Sequence, residues 1–194
     1  MKVFASISAA FLLLNMYSVG ATLLEETCKN LTSPPIGPAR GFDFEFCKTS
    51  LQVAPGSEKA DAIGLTIIAA NIALVNFTHN KAKATELLQD KNLSKQIRRI
   101  LTECQSIYSE DAVDLKKAID ALKSGKFDRM EDVINHLGKA ADDVLACRDG
   151  WEFSGQKSLM PKEEENAEKL SELALAVASL LPSPPSPGPS FFGF

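Results

Sequence analysis

Four cysteines are the residues of this 194-residue chain whose chemistry is easiest to predict: Cys28, Cys47, Cys104 and Cys147. In an oxidising compartment, an even number of thiols indicates disulfides, here two bridges with three possible connectivities. No Cys-x-x-Cys pair is present, and the only histidines in the sequence are His79 and His136. A zinc site needs clustered sulfur and imidazole ligands, so we expect no metal site, and no cofactor is expected either.

Motifs for catalysis are missing from the sequence. It contains no GxSxG, HExxH, P-loop or GxGxxG motif in a strand–turn–helix context. Asp142 and Asp143 are adjacent, so on a helix they would point about 100° apart and could not act together on one substrate. His136 lies beside the apolar Leu137, which favours a partly buried structural histidine over a catalytic base. We therefore predict that the protein is not an enzyme.

The N-terminus has the pattern of a signal peptide. Lys2 precedes an uncharged, mostly apolar stretch from Val3 to Val19, and the small residues Gly20 and Ala21 offer a cleavage site. The alternative is a membrane anchor, but polar residues interrupt this stretch and it is shorter than the roughly 20 apolar residues of a membrane span. We expect cleavage after residue 21, a secreted domain over residues 22–181, and no membrane partner.

The sequons and the net charge indicate where the mature chain is found and which partners it does not bind. Three Asn-x-Ser/Thr sequons, at Asn30, Asn76 and Asn92, are candidate glycosylation sites in a secreted protein. The net charge is −4, and acidic and basic residues are well mixed along the chain. Nucleic acid is not an expected partner, because its binding calls for a basic stripe.

The positions of proline divide the chain. None occurs between Pro55 and Pro161, so this long stretch is free to be helical. Residues 182–194 begin with repeated proline and are predicted to be a disordered tail. The tail carries an apolar tip, Phe191-Phe-Gly-Phe194, that the sequence does not explain.

Apolar residues recur with the period of a helix between residues 57 and 181. Four amphipathic helices are predicted: about Ser57–Asp90, about Leu93–Lys123, a third that carries Met130 to Leu145, and a fourth after Pro161. The fourth is expected to bury an apolar stripe that includes Leu180. Nothing alternates with a period of two for long enough to be a strand. The sequence therefore predicts an all-α, up-and-down four-helix bundle.

The predicted bundle favours one disulfide connectivity. Helices two and three run antiparallel if they turn near Gly125, which follows Cys104 by 21 residues and precedes Cys147 by 22. At 1.5 Å per residue both thiols lie roughly 32 Å from the turn and level with each other. A Cys104–Cys147 bridge is thus favoured, which leaves Cys28 and Cys47 to close an N-terminal excursion.

Several local strings add a resemblance to a known family: Glu26-Thr-Cys28-Lys, Phe42-Asp-Phe-Glu-Phe-Cys47, Ala121-Leu-Lys-Ser-Gly125, Cys147-Arg-Asp-Gly-Trp151 and Leu175-Ala-Val-Ala-Ser-Leu-Leu181. With the four cysteines, they resemble the plant invertase and pectin methylesterase inhibitor family. This resemblance implies an N-terminal helical hairpin beside the bundle, with the first cysteine paired to the second and the third to the fourth.

The resemblance also implies a function and a place. Such inhibitors block an enzyme of the cell wall or vacuole by forming a one-to-one complex with pectin methylesterase or with acid invertase. We therefore expect a protein partner, a monomeric inhibitor, and secretion to the apoplast or cell wall, with the vacuole as an alternative. A non-inhibitory role, as a ligand carrier or structural pollen protein, is the alternative from a different class.

Each target implies its own site residues. Invertase inhibitors of the family use a Pro-Lys-Phe motif in a helix turn, where this chain has Gly125-Lys126-Phe127. Lys126 and Phe127 would then contact invertase, or else Gly125 simply ends the helix and Phe127 packs on the next one. Pectin methylesterase inhibitors instead use outward helix faces. On the second helix such a face is predicted to comprise Glu103, Ser106, Glu110, Asp114 and Lys117, which could equally be a solvated face. The incomplete motif favours pectin methylesterase.

Overall fold

The computed structural model describes residues 21–34, 41–125 and 130–182. Within these ranges the chain forms six α-helices and no strand. They are α1 (Leu23–Thr32), α2 (Phe44–Gln52), α3 (Ala62–Leu87), α4 (Lys95–Lys123), α5 (Met130–Ser154) and α6 (Pro161–Ala178). Residues 1–20, 35–40, 126–129 (which include Lys126 and Phe127) and 183–194 lie outside the described residues.

Helices α3 to α6 form the predicted four-helix bundle. Each of them packs against two neighbours, in the cyclic order α3, α4, α5, α6. The short helices α1 and α2 pack on each other, and this hairpin lies against α3 and α6. The prediction of an all-α bundle with an N-terminal helical hairpin is therefore confirmed.

Short polar residues fix where the helices begin. Asp61 Oδ1 accepts a hydrogen bond of 2.7 Å from the Gly64 backbone N–H, and Ser94 Oγ accepts one of 3.2 Å from Ile97. These caps satisfy backbone donors that have no partner inside the helix. As a result α3 begins at Ala62 rather than near Ser57, where the chain forms a separate 3₁₀ turn.

Glycine and proline fix two further boundaries. Gly125 follows α4 with φ of 65°, a left-handed conformation that only glycine adopts without strain. Pro161 begins α6, where its missing N–H costs nothing, and Glu163 and Glu164 lie at the positive end of the helix dipole. Because α6 ends at Ala178, Leu180 leaves the apolar stripe. The prediction that Leu180 is buried was wrong, since it is 45% exposed.

Large side chains fill the centre of the bundle. Tyr108 of α4 meets Phe77 of α3 edge-on with ring centroids 5.5 Å apart, a favourable aromatic geometry. Trp151, near the end of α5, is also buried. Helix α3 differs from the other bundle helices because it carries apolar residues on most of its surface. By length and composition it could cross a membrane, but here it packs between α4 and α6.

Two disulfides tie the helices together. Cys28 of α1 is bonded to Cys47 of α2, and Cys104 of α4 to Cys147 of α5, with Cα–Cα distances of 5.7 and 4.9 Å. These are the pairs that thiol placement favoured. The first bridge closes the hairpin, and the second joins the neighbouring bundle helices α4 and α5.

Replacement of both Cys104 and Cys147 by alanine should lower the free energy of unfolding by roughly 2–5 kcal/mol. The matched control replaces Cys28 and Cys47. The two bridges close 43 and 19 residues of chain, so loop entropy predicts a loss about 0.7 kcal/mol greater for the bundle bridge. Urea unfolding of both variants would measure this. A larger loss for the hairpin bridge would contradict it.

Candidate functional site

The predicted outward face of α4 is only partly outward. Glu103, Ser106, Glu110 and Lys117 are exposed, and Ser106 Oγ donates a hydrogen bond of 2.7 Å to Glu110 Oε1. Asp114 was predicted to lie on the same face, and this was wrong, because only 8% of it is exposed.

Asp114 is buried because it lies where α4 packs against α5. Asp114 lies one turn from both Asp111 and Ala118, on the side of α4 that packs against α5. There its carboxylate accepts a hydrogen bond of 2.9 Å from Lys117 and lies 3.2 Å from His136 Nδ1. Asp114 is therefore part of the contact between helices rather than of the outer surface.

Lys139 of α5 lies among three carboxylates at this contact. Its Nζ atom lies 3.0 Å from Asp111, 3.1 Å from Asp114 and 2.7 Å from Asp143. The Asp143 carboxylate, together with the other two, holds the pKa of the Lys139 ammonium above its usual range. The Lys139 ammonium lies between the three carboxylates. These four side chains therefore form an ion-pair network that joins α4 to α5.

Asp111 is the most unusual member of this network. Its side chain is fully buried, Oδ1 accepts from Lys139, and Oδ2 has no partner among the described residues. Burial raises the pKa of Asp111 to about 7, although the Lys139 ammonium opposes the rise. Burial also opposes ionisation of Asp114, but hydrogen bonds from Lys117 and Lys139 outweigh it and lower the pKa of that carboxyl.

A second buried carboxyl lies beside the bundle disulfide. Glu164 accepts a hydrogen bond of 2.8 Å from Ser158 Oγ and lies 3.7 Å from Cys147 Sγ. Burial raises the pKa of Glu164. Its carboxylate and the sulfurs of Cys104 and Cys147 come together in the manner of a metal site, but both sulfurs are committed to the disulfide. Thiolate ligands are therefore unavailable in the oxidised protein.

An open cleft between α4 and α5 was not predicted from the sequence. It has a volume of about 410 Å³, and its walls include Arg99 and Glu103 of α4 and Asp149 of α5. Phe153 lies at its edge and is 89% exposed, although it is a large aromatic side chain. The signal for this surface was present in the sequence, because Phe153 follows the buried Trp151 by two residues and so falls off the apolar stripe of α5.

The sequons differ in their surroundings. Asn30, in α1, and Asn92, in the turn between α3 and α4, are both exposed. Asn76 is half-buried in α3, and its Oδ1 accepts a hydrogen bond of 3.2 Å from the buried Asn80. Attachment of a glycan is therefore sterically easiest at Asn30 and Asn92.

Comparison with known proteins gives the family. The profile of the plant invertase/pectin methylesterase inhibitor family matches residues 22–177, and the chain belongs to this family. It is therefore an inhibitor that acts on a protein enzyme, and not itself an enzyme.

Two curated relatives from plane trees are similar over most of their length. A protein of Platanus orientalis named "Putative invertase inhibitor" is 27% identical over 175 residues, which cover 89% of this chain and 97% of the relative. A protein of the same name from Platanus acerifolia is 28% identical over 173 residues, 88% of this chain and 91% of the relative.

Stability should depend on pH through Asp111. Its pKa is raised from 3.8 to about 7 in the folded protein, so its stabilising contribution is complete below 3.8 and is lost as the pH rises toward 7. Asp111→Asn should abolish this loss, so the variant should be at least as stable as the parent at pH 7 and should match it near pH 4. Melting temperatures across this range would measure the difference.

The matched control is Asp114→Asn, where the sign is opposite. The pKa of Asp114 is lowered, so its contribution is present above the usual range and is lost only as the pH falls through the lowered value. This variant should therefore be less stable than the parent at pH 7, and the gap should narrow in acid. A loss at pH 7 of the same size for Asp111→Asn would contradict the assignment.

Proposed function

We propose that this protein inhibits a pectin methylesterase of the plant cell wall by forming a one-to-one complex, with a monomeric inhibitor as the binding species. The contact surface in this proposal is the outward face of α4 together with the neighbouring cleft of α5. The observation that carries it is the run of polar and acidic groups there, exposed at Glu103, Ser106 and Glu110 and half-buried at Asp149 in the cleft.

Charge complementarity supports this choice of target. Pectin methylesterase acts on a chain of uronic acids and leaves carboxylates along it, so a groove that binds this product must tolerate or attract negative charge. Carboxylates spaced along α4 offer similar groups to such a groove. Complementary charges of this kind chiefly raise the rate of association and exclude wrong partners.

Phe153 supplies the apolar contact that a charged surface lacks. Binding energy at protein interfaces is concentrated in a few aromatic anchors surrounded by polar groups that exclude water. Phe153 is the most exposed of the large apolar side chains in the described part of the chain, and Arg99, Glu103 and Asp149 line the same cleft. In our proposal its ring enters the enzyme and these charges form the rim.

Acid invertase is the second candidate target. It is favoured by the names of the two plane-tree relatives and by the match of Lys126 and Phe127 to two of the three residues of the family motif. This complex would use the turn between α4 and α5 instead of the cleft. Phe153 lies about 23 residues, or roughly 35 Å, from the start of α5, and Glu110 lies about 15 residues, or roughly 22 Å, before Gly125, so mutations can address the two surfaces independently.

Secretion is part of the proposal. Residues 1–21 would be a signal peptide, residues 22–181 the inhibitor domain and residues 182–194 a proline-rich tail. Thr22 supports this boundary, because its hydroxyl accepts a hydrogen bond from the Glu25 backbone N–H and caps α1. Cleavage after Ala21 would leave the cap in place. N-terminal sequencing of protein secreted by plant cells should therefore begin at Thr22, and retention of residues 1–21 would contradict it.

Titration of the mature protein against a plant pectin methylesterase and an acid invertase would test the choice of target. We expect inhibition of the methylesterase, and we expect Phe153→Ser to weaken it by about 30- to 1,000-fold, the range for loss of an aromatic anchor. Leu23→Ser, which shortens an exposed apolar side chain on the hairpin, is the matched control and should have no effect.

Charge reversal tests the polar part of the surface. Glu103→Lys with Glu110→Lys should slow association with the methylesterase, whereas Glu86→Lys on α3 should leave it unchanged. Lys126→Ala with Phe127→Ala should not affect this enzyme. Inhibition of invertase alone, abolished by that last pair of substitutions, would identify invertase as the target.

A further inference from the structure

Helix α3 has a second apolar face that the core of the bundle covers only in part. Its buried residues, among them Ala69, Ala73 and Phe77, face α4 and α6. Ile68, Ile72 and Val75 recur at helical spacing beside this buried stripe; Ile68 and Ile72 are half-buried against the edge of the core, and Val75 is exposed. Two apolar faces on one helix explain why α3 is apolar enough to resemble a membrane span.

This second face forms a groove with the end of the N-terminal hairpin. The groove has a volume of about 350 Å³ and is lined by Val53, Ala54, Ile68, Asn71, Ile72 and Val75, which we call the α3 groove. Val53 is 77% exposed and Val75 is 69% exposed. Among the described residues no charged side chain lines the groove, so it suits an uncharged, apolar occupant. The space exceeds the roughly 150 Å³ that suffices for a benzene ring.

The sequence contains an apolar segment of matching chemistry. The tip Phe191-Phe-Gly-Phe194 has no charge and follows a stretch rich in proline and serine. We propose that the side chains of Phe191, Phe192 and Phe194 bind in the α3 groove of the same molecule. The proline-rich stretch then serves as a stiff spacer between the bundle and the tip.

The reach of the spacer is sufficient. Asn80 of α3 donates a hydrogen bond of 2.9 Å to the Glu163 carbonyl of α6, which fixes the level of these antiparallel helices. Ala178, 15 residues further along α6, is then level with about residue 65 of α3, only about 5–15 Å along the axis from the groove. Eight residues from 183 to 190 span about 25 Å as polyproline II, enough to pass around a helix about 10 Å wide.

Intramolecular cross-linking tests the contact directly. In the full mature chain, Val75→Cys with Phe192→Cys should form a third disulfide in monomeric protein on mild oxidation. Peptide mapping would identify it and would verify that the native bridges are intact. The matched control is Val113→Cys with Phe192→Cys, because Val113 is an exposed valine on α4, outside the groove. It should remain mostly unlinked.

A double-mutant cycle measured by thermal unfolding provides a second test of this contact. Replacement of the three tip phenylalanines by serine should lower the melting temperature by about 2–4 °C, and Val53→Ser with Val75→Ser should do the same. The combined variant should show no further loss, since either change removes the same contact. Val113→Ser should have no effect.

Several results would overturn the proposal. They are an unchanged melting temperature in the tip variant, fully additive losses in the combined variant, or equal cross-linking at positions 75 and 113. A disulfide that forms only between molecules, with stability that depends on protein concentration, would instead identify a second copy of the chain as the occupant. Enzyme inhibition enters none of these measurements, so the result is independent of the proposed target.

Discussion

The attachment of α4 to α5 is the constraint on which the rest of the molecule depends. These helices are long and antiparallel, and they are joined covalently by Cys104–Cys147 and electrostatically by Lys139. Together these links fix both the rotation of each helix and its position along the other. The cleft beside Phe153 and the outward face of α4 exist only in this register, because both are formed at the boundary of the two helices.

The ion-pair network of Lys139 and the three aspartates joins α4 to α5, but it removes charged groups from water, which costs free energy. The carboxylate of Asp111 loses its hydration when it is buried. One ammonium group, shared among three carboxylates, compensates for only part of the lost hydration free energy. The raised pKa of Asp111 shows that this compensation is incomplete. A mildly acidic environment removes this cost by protonating Asp111, while the ionised Asp114 keeps Lys139 in place. The contact between α4 and α5 is therefore expected to be more stable at mildly acidic pH than at neutral pH.

Helix α3 shows a different use of apolar surface. In a soluble bundle one apolar stripe per helix is enough, and a second stripe left in water invites association. Here the second stripe lies beside the end of the hairpin, where Val53 extends it into a groove. Its position away from the α4–α5 boundary means that an occupant of the groove need not interfere with an enzyme bound on the other surface.

Local and periodic features were readable from the sequence alone. The four bundle helices follow from apolar spacing and from the absence of proline between Pro55 and Pro161, and the register of Cys104 and Cys147 follows from their equal distances to Gly125. The hairpin was implied by the family resemblance. Each of these features depends on spacing along one chain, which the sequence contains in full.

Only the tertiary structure decided which polar residues are buried and which apolar residues are exposed. Asp114 was predicted to face water but lies against Lys139, and the cleft beside Phe153 is formed by two helices, which the position of Phe153 off the apolar stripe does not predict. Leu180 was predicted to be buried but follows the end of α6 into solvent. The edge of a helix face is buried or open according to the side chains that a neighbouring helix brings to it. That neighbour is fixed by packing among residues far apart in the chain, which helical periodicity does not contain.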